Sequence, residues 1–350
     1  MGQLPQLKNS TTYRPCEWDL KADRQGRRYW VDLFCGHIDT LMAAISEAYP
    51  ETAPGKLASF RSEYVAAMRA FDTAPDRFEH IDILTMDELR TDLQSRYGFY
   101  DPYRKIKARE NRLALAVLPE LLEELDASPA EGVVEKLAFG LMAGNIFDLG
   151  AHATVERCRE GGCDFRQLRA GQPPRPWFID SLDAWRKRWA DGPAYEHVAF
   201  FVDNGGSDAC LGCVPLARWL LREGSRITLV ANSRAALNDV TAPELAGLLE
   251  EIAQMDTLVA TARTNARLSV TASGGRTPLI DLTHLADACV DAIADADLII
   301  LHGMGRAIES NFQAAFSCDA LRVAVLKDSA VARRIGGRVF DCLFWFEAAG

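Results

Sequence analysis

The spacing of apolar residues changes character part-way along the chain. Over 56–71, 86–97, 103–125 and 130–146 apolar residues recur at three- and four-residue steps, the period of helices that bury one face. Asp101-Pro102 reads as a helix start, a capping side chain followed by proline in the first turn. Pro119 predicts a kink or a division inside the third of these segments. The stretch Gly171-Gln-Pro-Pro-Arg-Pro176 excludes helix and reads as an extended connection. A short helix over about 180–190 follows, stopped at Asp191-Gly192-Pro193.

Beyond that stop the pattern is different. Short β-rich apolar runs at 198–202, 227–230, 298–301, 321–326 and 339–346 alternate with helical stretches at 208–222, 243–254, 282–294 and 309–316. Strands that alternate with helices imply a parallel sheet covered on both faces. The fold expected is therefore α/β. A Rossmann-like three-layer α/β/α domain over 193–350 follows a mostly helical domain over 1–192. There is no internal repeat or low-complexity tract.

Composition narrows the function classes. The chain has 350 residues, 48% hydrophobic and 25% charged, enough for a large core that needs no disulfide to hold it. Its net charge of −10 repels nucleic acid and anionic membranes on average. Small anionic substrates remain compatible, since they need only a local cluster of cations and backbone amides. Nine scattered cysteines, an odd number, suit a reducing compartment. No signal peptide opens the sequence, Gln6 breaks the myristoylation pattern that Met1-Gly2 begins, and no apolar run reaches the ~18 residues of a membrane span. Cytoplasm is the expected location.

In an open parallel sheet, ligands bind beyond the carboxyl ends of the strands. After the first run comes Asp203-Asn-Gly-Gly-Ser-Asp208. Its adjacent carboxylate and amide oxygens suit a hard cation. They also suit an Asp-Asn turn that caps the next helix, with Ser207 or Asp208 as the cap. After the second run comes Asn238-Asp-Val-Thr241, where Asp239 adds a carboxylate at the same sheet edge or serves only as a cap. Thr241-Ala-Pro-Glu244 reads as a capping box. After the third comes His302-Gly-Met-Gly-Arg306, either a phosphate cradle of backbone amides with an arginine or a plain tight turn. It is neither a dinucleotide fingerprint, with Ile308 at the third glycine position, nor a P-loop. Lys327 ends the fourth run, a phosphate-neutralising or a solvated lysine. Four successive strand ends thus deliver an inventory that fits metal-assisted phosphoryl transfer to water.

These segments resemble the damage-control phosphatases, in particular the subfamily found fused behind pantothenate kinase 4 and also as stand-alone proteins. The similarity is carried by Phe201-Val-Asp-Asn-Gly-Gly-Ser-Asp208, Leu237-Asn-Asp-Val-Thr241, Ala296-Asp-Leu-Ile-Ile-Leu-His-Gly-Met-Gly-Arg306, Lys327 and Gly336-Gly-Arg-Val-Phe-Asp-Cys342. In the helical half Asp101-Pro-Tyr-Arg-Lys-Ile-Lys-Ala-Arg-Glu-Asn111, Ala143-Gly-Asn-Ile-Phe-Asp-Leu-Gly150 and the passage from Pro174 to Asp180 also match. The resemblance implies the two-part fold and a divalent ion on Asp203, Asn204 and Asp239. It implies hydrolysis of phosphate monoesters, 4′-phosphopantetheine and its oxidised, damaged forms among them. It places Asn145 and Asp148 at the cleft, where a helix-end cap is the alternative, with Gly303, Gly305, Arg306 and Lys327 toward substrate. The subfamily's signature loop usually has Glu where this chain has His302.

The expected mechanism polarises a phosphate oxygen on the ion and shares its charge with Arg306, Lys327 and loop amides, while water attacks in line. Asp203 acting as a nucleophile is the alternative step. Two other functions stay open: a broader sugar-phosphate or metabolite phosphatase, and a non-enzymatic phosphometabolite-binding protein. Mg²⁺, Mn²⁺, Co²⁺ and Ni²⁺ all suit such ligands. The partner expected is a small phosphorylated metabolite, with no nucleic acid and no membrane; the sequence leaves the oligomeric state open. Lys107 and Asn111, one turn apart, either reach substrate or face solvent. Cys210-x-x-Cys213 has no second pair at zinc spacing and reads as packing, and six histidines form no local metal pattern.

Overall fold

Apolar runs that lack a polar face must be covered on both sides, and the central strands of this chain are. A computed structural model describes residues 1–146 and 165–349. Among these residues seven strands form one sheet: β1 (Ile179–Asp180), β2 (His197–Phe201), β3 (Arg226–Ala231), β4 (Leu268–Ala272), β5 (Leu298–His302), β6 (Asp319–Val325) and β7 (Cys342–Glu347). Their order is β1-β7-β6-β5-β2-β3-β4. From β6 to β4 every pairing is parallel; β7 runs antiparallel to β6, and β1 lies parallel to β7. The fold is α/β, a three-layer arrangement with a largely helical first half.

Side chains alternate between two cores because successive strand residues point to opposite faces. Phe200, Ile300 and Val323 enter one core; Ala199, Phe201, Leu301 and Ala324 enter the other. The first core is closed by the helices Arg104–Asp126, Ala130–Ile146, Val214–Arg222 and Ala242–Ala253. The second is closed by Arg24–Gly36, Ile38–Ala48, Pro54–Thr73 and Ile83–Arg96. The helical first half therefore supplies a layer to each face, and its β1 joins the sheet edge. No helix among the described residues is long and apolar enough to cross a membrane.

Several local expectations change. Pro119 lies inside one helix, Arg104–Asp126, and does not divide it. Asp101 does not cap that helix, which begins after Tyr103 without a side-chain cap; its carboxylate instead pairs with Lys107 at 3.1 Å. The 309–316 stretch is not an α-helix: a single π-helical turn, Gly305–Glu309, ends where it was expected to begin, and turns follow. Only Asp287–Ala292 of the 282–294 stretch is helical. Two helices, Arg24–Gly36 and Ile38–Ala48, and the edge strand β4 lie where no element was expected. In β4 the partly exposed positions after Leu268 hide the strand from a search for continuous apolar runs. The capping box at Thr241 and Glu244 forms as its residues predict.

The sheet order fixes where chemistry can sit. The chain leaves β2 toward β3 on one side, and later returns to pair β5 on the other. A crevice opens at such a switch point, beyond the carboxyl ends of the diverging strands. The residues that follow β2, β3 and β5 are Val202 to Gly206, Asn232 to Asp239, and Gly303 to Arg306.

Candidate functional site

The loops after β2 and β3 are laced together by their backbones. Val202 donates to the Val230 carbonyl at 2.9 Å, Val240 to Asp203 at 3.0 Å, and Gly205 to Asn238 at 2.9 Å. This ladder sets Asn204 opposite Asp239 as an isolated antiparallel bridge. It thereby brings the Asp203 and Asp239 carboxylates to one place, where a single guanidinium spans both. Arg306 donates through Nη1 to Asp203 Oδ1 and through Nη2 to Asp239 Oδ2, the latter at 2.8 Å. All three side chains are buried. Burial opposes the Arg306 charge, but the Asp239 and Asp203 carboxylates outweigh it and raise its pKa.

A second set of amides orients the carboxylates. Asn145 Nδ2 donates to Asp203 Oδ2 at 3.0 Å, and Asn232 Nδ2 to Asp239 Oδ2 at 2.9 Å. Asn204 Nδ2 donates to Asp203 Oδ2 and Asp208 Oδ2, each at 3.0 Å. That orientation makes Oδ1 the Asn204 atom available to the cavity it lines. Asp208 also accepts from the Asn204 backbone at 3.1 Å and from Asn145 at 3.3 Å. It is not a helix cap; it is the anchor of the Asp-Asn turn.

Gly303 lets β5 end against this cluster. Its φ is +94°, and a Cβ there would stand 2.1 Å from Asp203 Oδ2. Only glycine fits a left-handed residue so close to a carboxylate. Behind it His302 Nε2 lies 2.5 Å from Asp208 Oδ1, with both side chains fully buried and His302 Nδ1 unpartnered among the described residues. Burial works against the Asp208 charge, yet the His302 imidazole holds its pKa below the ordinary carboxylate range. One ligand atom each of Asp208, Cys213 and His302 falls within 4.8 Å of the others. Burial drives the Cys213 thiol pKa well upward, so it sits there as a neutral packing group.

The remaining candidates divide between cleft and scaffold. Lys327 lines the cavity and donates from Nζ to the Asn145 carbonyl at 3.0 Å. Gly305 lines it too, whereas Arg306 and Asn145 lie behind the carboxylates. Arg306 is thus placed as a counter-ion rather than as a side chain reaching into the cleft. Lys107 is buried against Glu244 at 2.8 Å and Asp101, and Asn111 accepts from the Gly206 backbone at 2.6 Å; both brace the loops. Asp148 lies outside the described residues.

The cleft itself is a cavity of about 580 Å³. Asp203, Asn204, Asp239 and Lys327 line part of it, and the aromatic side chains of Trp30 and Phe34 line another. Sequence reasoning did not single out Asn232, the anchoring role of Asp208 or the His302 pair. A scan for buried polar partners across distant segments is the signal that would have found them.

A model of the damage-control phosphatase ARMT1-like domain matches residues 37–343. The chain belongs to this family. It is 33% identical over 355 residues to a damage-control phosphatase of Arabidopsis thaliana, covering 99% of this chain and 96% of that one. It is 36% identical over 374 residues to pantothenate kinase 2 of the same plant, covering 98% of this chain but 41% of the relative. It is 29% identical over 396 residues to the mouse 4′-phosphopantetheine phosphatase, covering 98% of this chain and 48% of that one. The chain therefore spans less than half the length of the last two. A DUF89 family protein of Pyrococcus horikoshii shares the fold, with a TM-score of 0.61 over 91% of this chain and 98% of that one at 14% identity. Within this family fold the cluster around Asp203 tolerates no added volume. Gly303→Ala is expected to lower unfolding free energy by about 2–5 kcal/mol, from left-handed strain plus overlap. Urea denaturation measures it, and a loss under about 0.5 kcal/mol would contradict the packing argument.

Proposed function

We propose that this member of the family is a metal-dependent phosphatase of small phosphorylated metabolites, with 4′-phosphopantetheine and its oxidised forms as its substrates. The convergence of Asp203, Asn204 and Asp239 on one cleft is the observation that carries the reading. Two carboxylates and an amide oxygen form a hard donor set, pre-oriented by Asn145, Asn232 and Asp208. That set fits a divalent cation such as Mg²⁺, Mn²⁺, Co²⁺ or Ni²⁺. The mouse relative's name supports the choice of substrate.

Asp203, Asn204 and Asp239 would hold the ion. Bound there, a divalent cation supplies Lewis acidity toward a phosphate oxygen and acidifies water. Lys327, at the rim of the same cavity, neutralises a second phosphoryl oxygen. Both oxygens of Asp203 already accept hydrogen bonds, from Arg306 on one side and from Asn145 and Asn204 on the other. Gly205 stands where the Asp-x-Asp spacing of aspartyl-phosphate enzymes would put a second carboxylate, which favours attack by water. The pantetheine alcohol leaves toward the aromatic part of the cleft.

Stripping metal and restoring single ions should abolish and return phosphate release from 4′-phosphopantetheine. Asp203→Ala should reduce kcat/KM by at least ~100-fold; a folded variant with undiminished activity would remove Asp203 from the mechanism. Absence of ¹⁸O in Asp203 after a single turnover in labelled water is the expected sign of direct attack.

Arg306 now carries the positive charge that the carboxylates require. Arg306→Met leaves them unpaired and should destabilise the metal-free protein by about 3–5 kcal/mol. Saturating Mn²⁺ should then raise the variant's Tm further than the wild type's. Equal shifts in both would mean that guanidinium and ion do not answer to the same charge.

A further inference from the structure

A phosphate group fills little of a 580 Å³ cavity; that volume is the size of a site for a whole small-molecule ligand. Another part of the cavity wall is built by helices Arg24–Gly36 and Ile83–Arg96, and it is mostly aromatic and aliphatic. One buried charged pair interrupts it, the other charge on this wall, Asp32, being exposed. Asp87 and Arg90, three residues apart on one helix, both line the cavity and are 3% and 5% exposed.

This pair is not explained by stability. Arg90 packs its guanidinium over the Phe34 ring at 5.2 Å and makes an ion pair with Asp87. The two groups meet through Arg90 Nη2 and Asp87 Oδ1, and the Nε and Nη1 donors of Arg90 have no hydrogen-bond partner among the described residues. A guanidinium has five donors in a planar fork, and leaving those of Nε and Nη1 unmade in an apolar wall is costly. Burial pushes the Asp87 pKa up to about 6, more than the Arg90 charge pulls it down. A carboxyl whose folded pKa lies above its unfolded value weakens the fold as pH rises from about 4 to about 6. Unused donors on a buried guanidinium that lines the cavity point to a ligand that completes them.

We propose that Arg90, positioned by Asp87, is a specificity-determining residue that donates to an acceptor oxygen in the alcohol portion of the phosphate monoester, remote from the phosphoryl group. Amide carbonyls and carboxylates both present such an oxygen to a guanidinium fork. Substrates would then be long, polar-tailed monoesters, read at two poles of one cleft: the acidic cluster with Lys327 at the phosphate, and Arg90 at the tail. This rests on the phosphatase reading, and its test separates the two.

The test compares kcat/KM of wild type and Arg90→Gln on 4′-phosphopantetheine (amide tail), 4′-phosphopantothenate (carboxylate tail) and p-nitrophenyl phosphate, which has no such tail. The ratio of long-tailed to tail-less kcat/KM should fall about 10- to 100-fold in the variant, through KM more than kcat. The tail that suffers most identifies the acceptor. Asp87→Leu with Arg90→Met removes the pair without leaving a buried charge, and should show the same fall in a protein at least as stable. An unchanged ratio in both variants overturns the inference. Calorimetric titration of pantetheine and pantothenate needs no turnover: weaker binding to both variants supports the role of Arg90, and equal binding overturns it. Failure of wild type to release phosphate from any of the three esters would sink the phosphatase reading, while these titrations still decide on Arg90.

Discussion

Asp203 and Asp239 are two anions brought together where the sheet divides, and each must be compensated. Isolated carboxylates in such a place would cost several kcal/mol each. The protein answers with one guanidinium across both and with an amide on each. This requirement explains several otherwise separate features. Arg306 must come from the turn after β5, since that strand borders β2 on the side opposite β3. Gly303 must precede it, because any side chain there would collide with Asp203.

The same requirement ties the two halves of the chain. Asn145 stands near the end of a helix from the first half, yet its side chain reaches Asp203 and Asp208, and its backbone carbonyl receives Lys327. That helix comes very close to the Asp-Asn turn: a Cβ on Gly144 would lie 2.8 Å from Asp208 Cα. Asp208, in turn, is held by His302 from β5. A displacement of any one of these elements would therefore be felt at the carboxylates.

How legible this was depends on the range of each interaction. The strand ends were readable, because short apolar runs announce the strands and ligands gather beyond them. Asp203, Asn204, Asp239 and Lys327 follow from that rule. Arg306 was read as facing a phosphate; the sequence has no mark of the two carboxylates that enclose it, which lie 103 and 67 residues away. His302 was noted only as a departure from the family's loop; its partner is 94 residues distant, and no local pattern links them. Asp87 and Arg90 did leave a trace. They share the buried side of their helix with Met86 and Leu93, and a charge on an apolar stripe asks for a partner. Strand β4 shows the opposite case, in which partial exposure at the sheet edge dilutes the apolar signal.

The cleft needs both kinds of structure. A parallel sheet with a switch point concentrates backbone turns, small residues and charges, but it offers a shallow crevice rather than an enclosed volume. Enclosure comes from the helices packed on one face, whose aromatic residues meet the strand ends across the cavity. Low polarity on that side strengthens every charge interaction on the other. The first half of the chain is thus a wall of the site as much as a cover for the sheet, and neither half alone would contain the cleft.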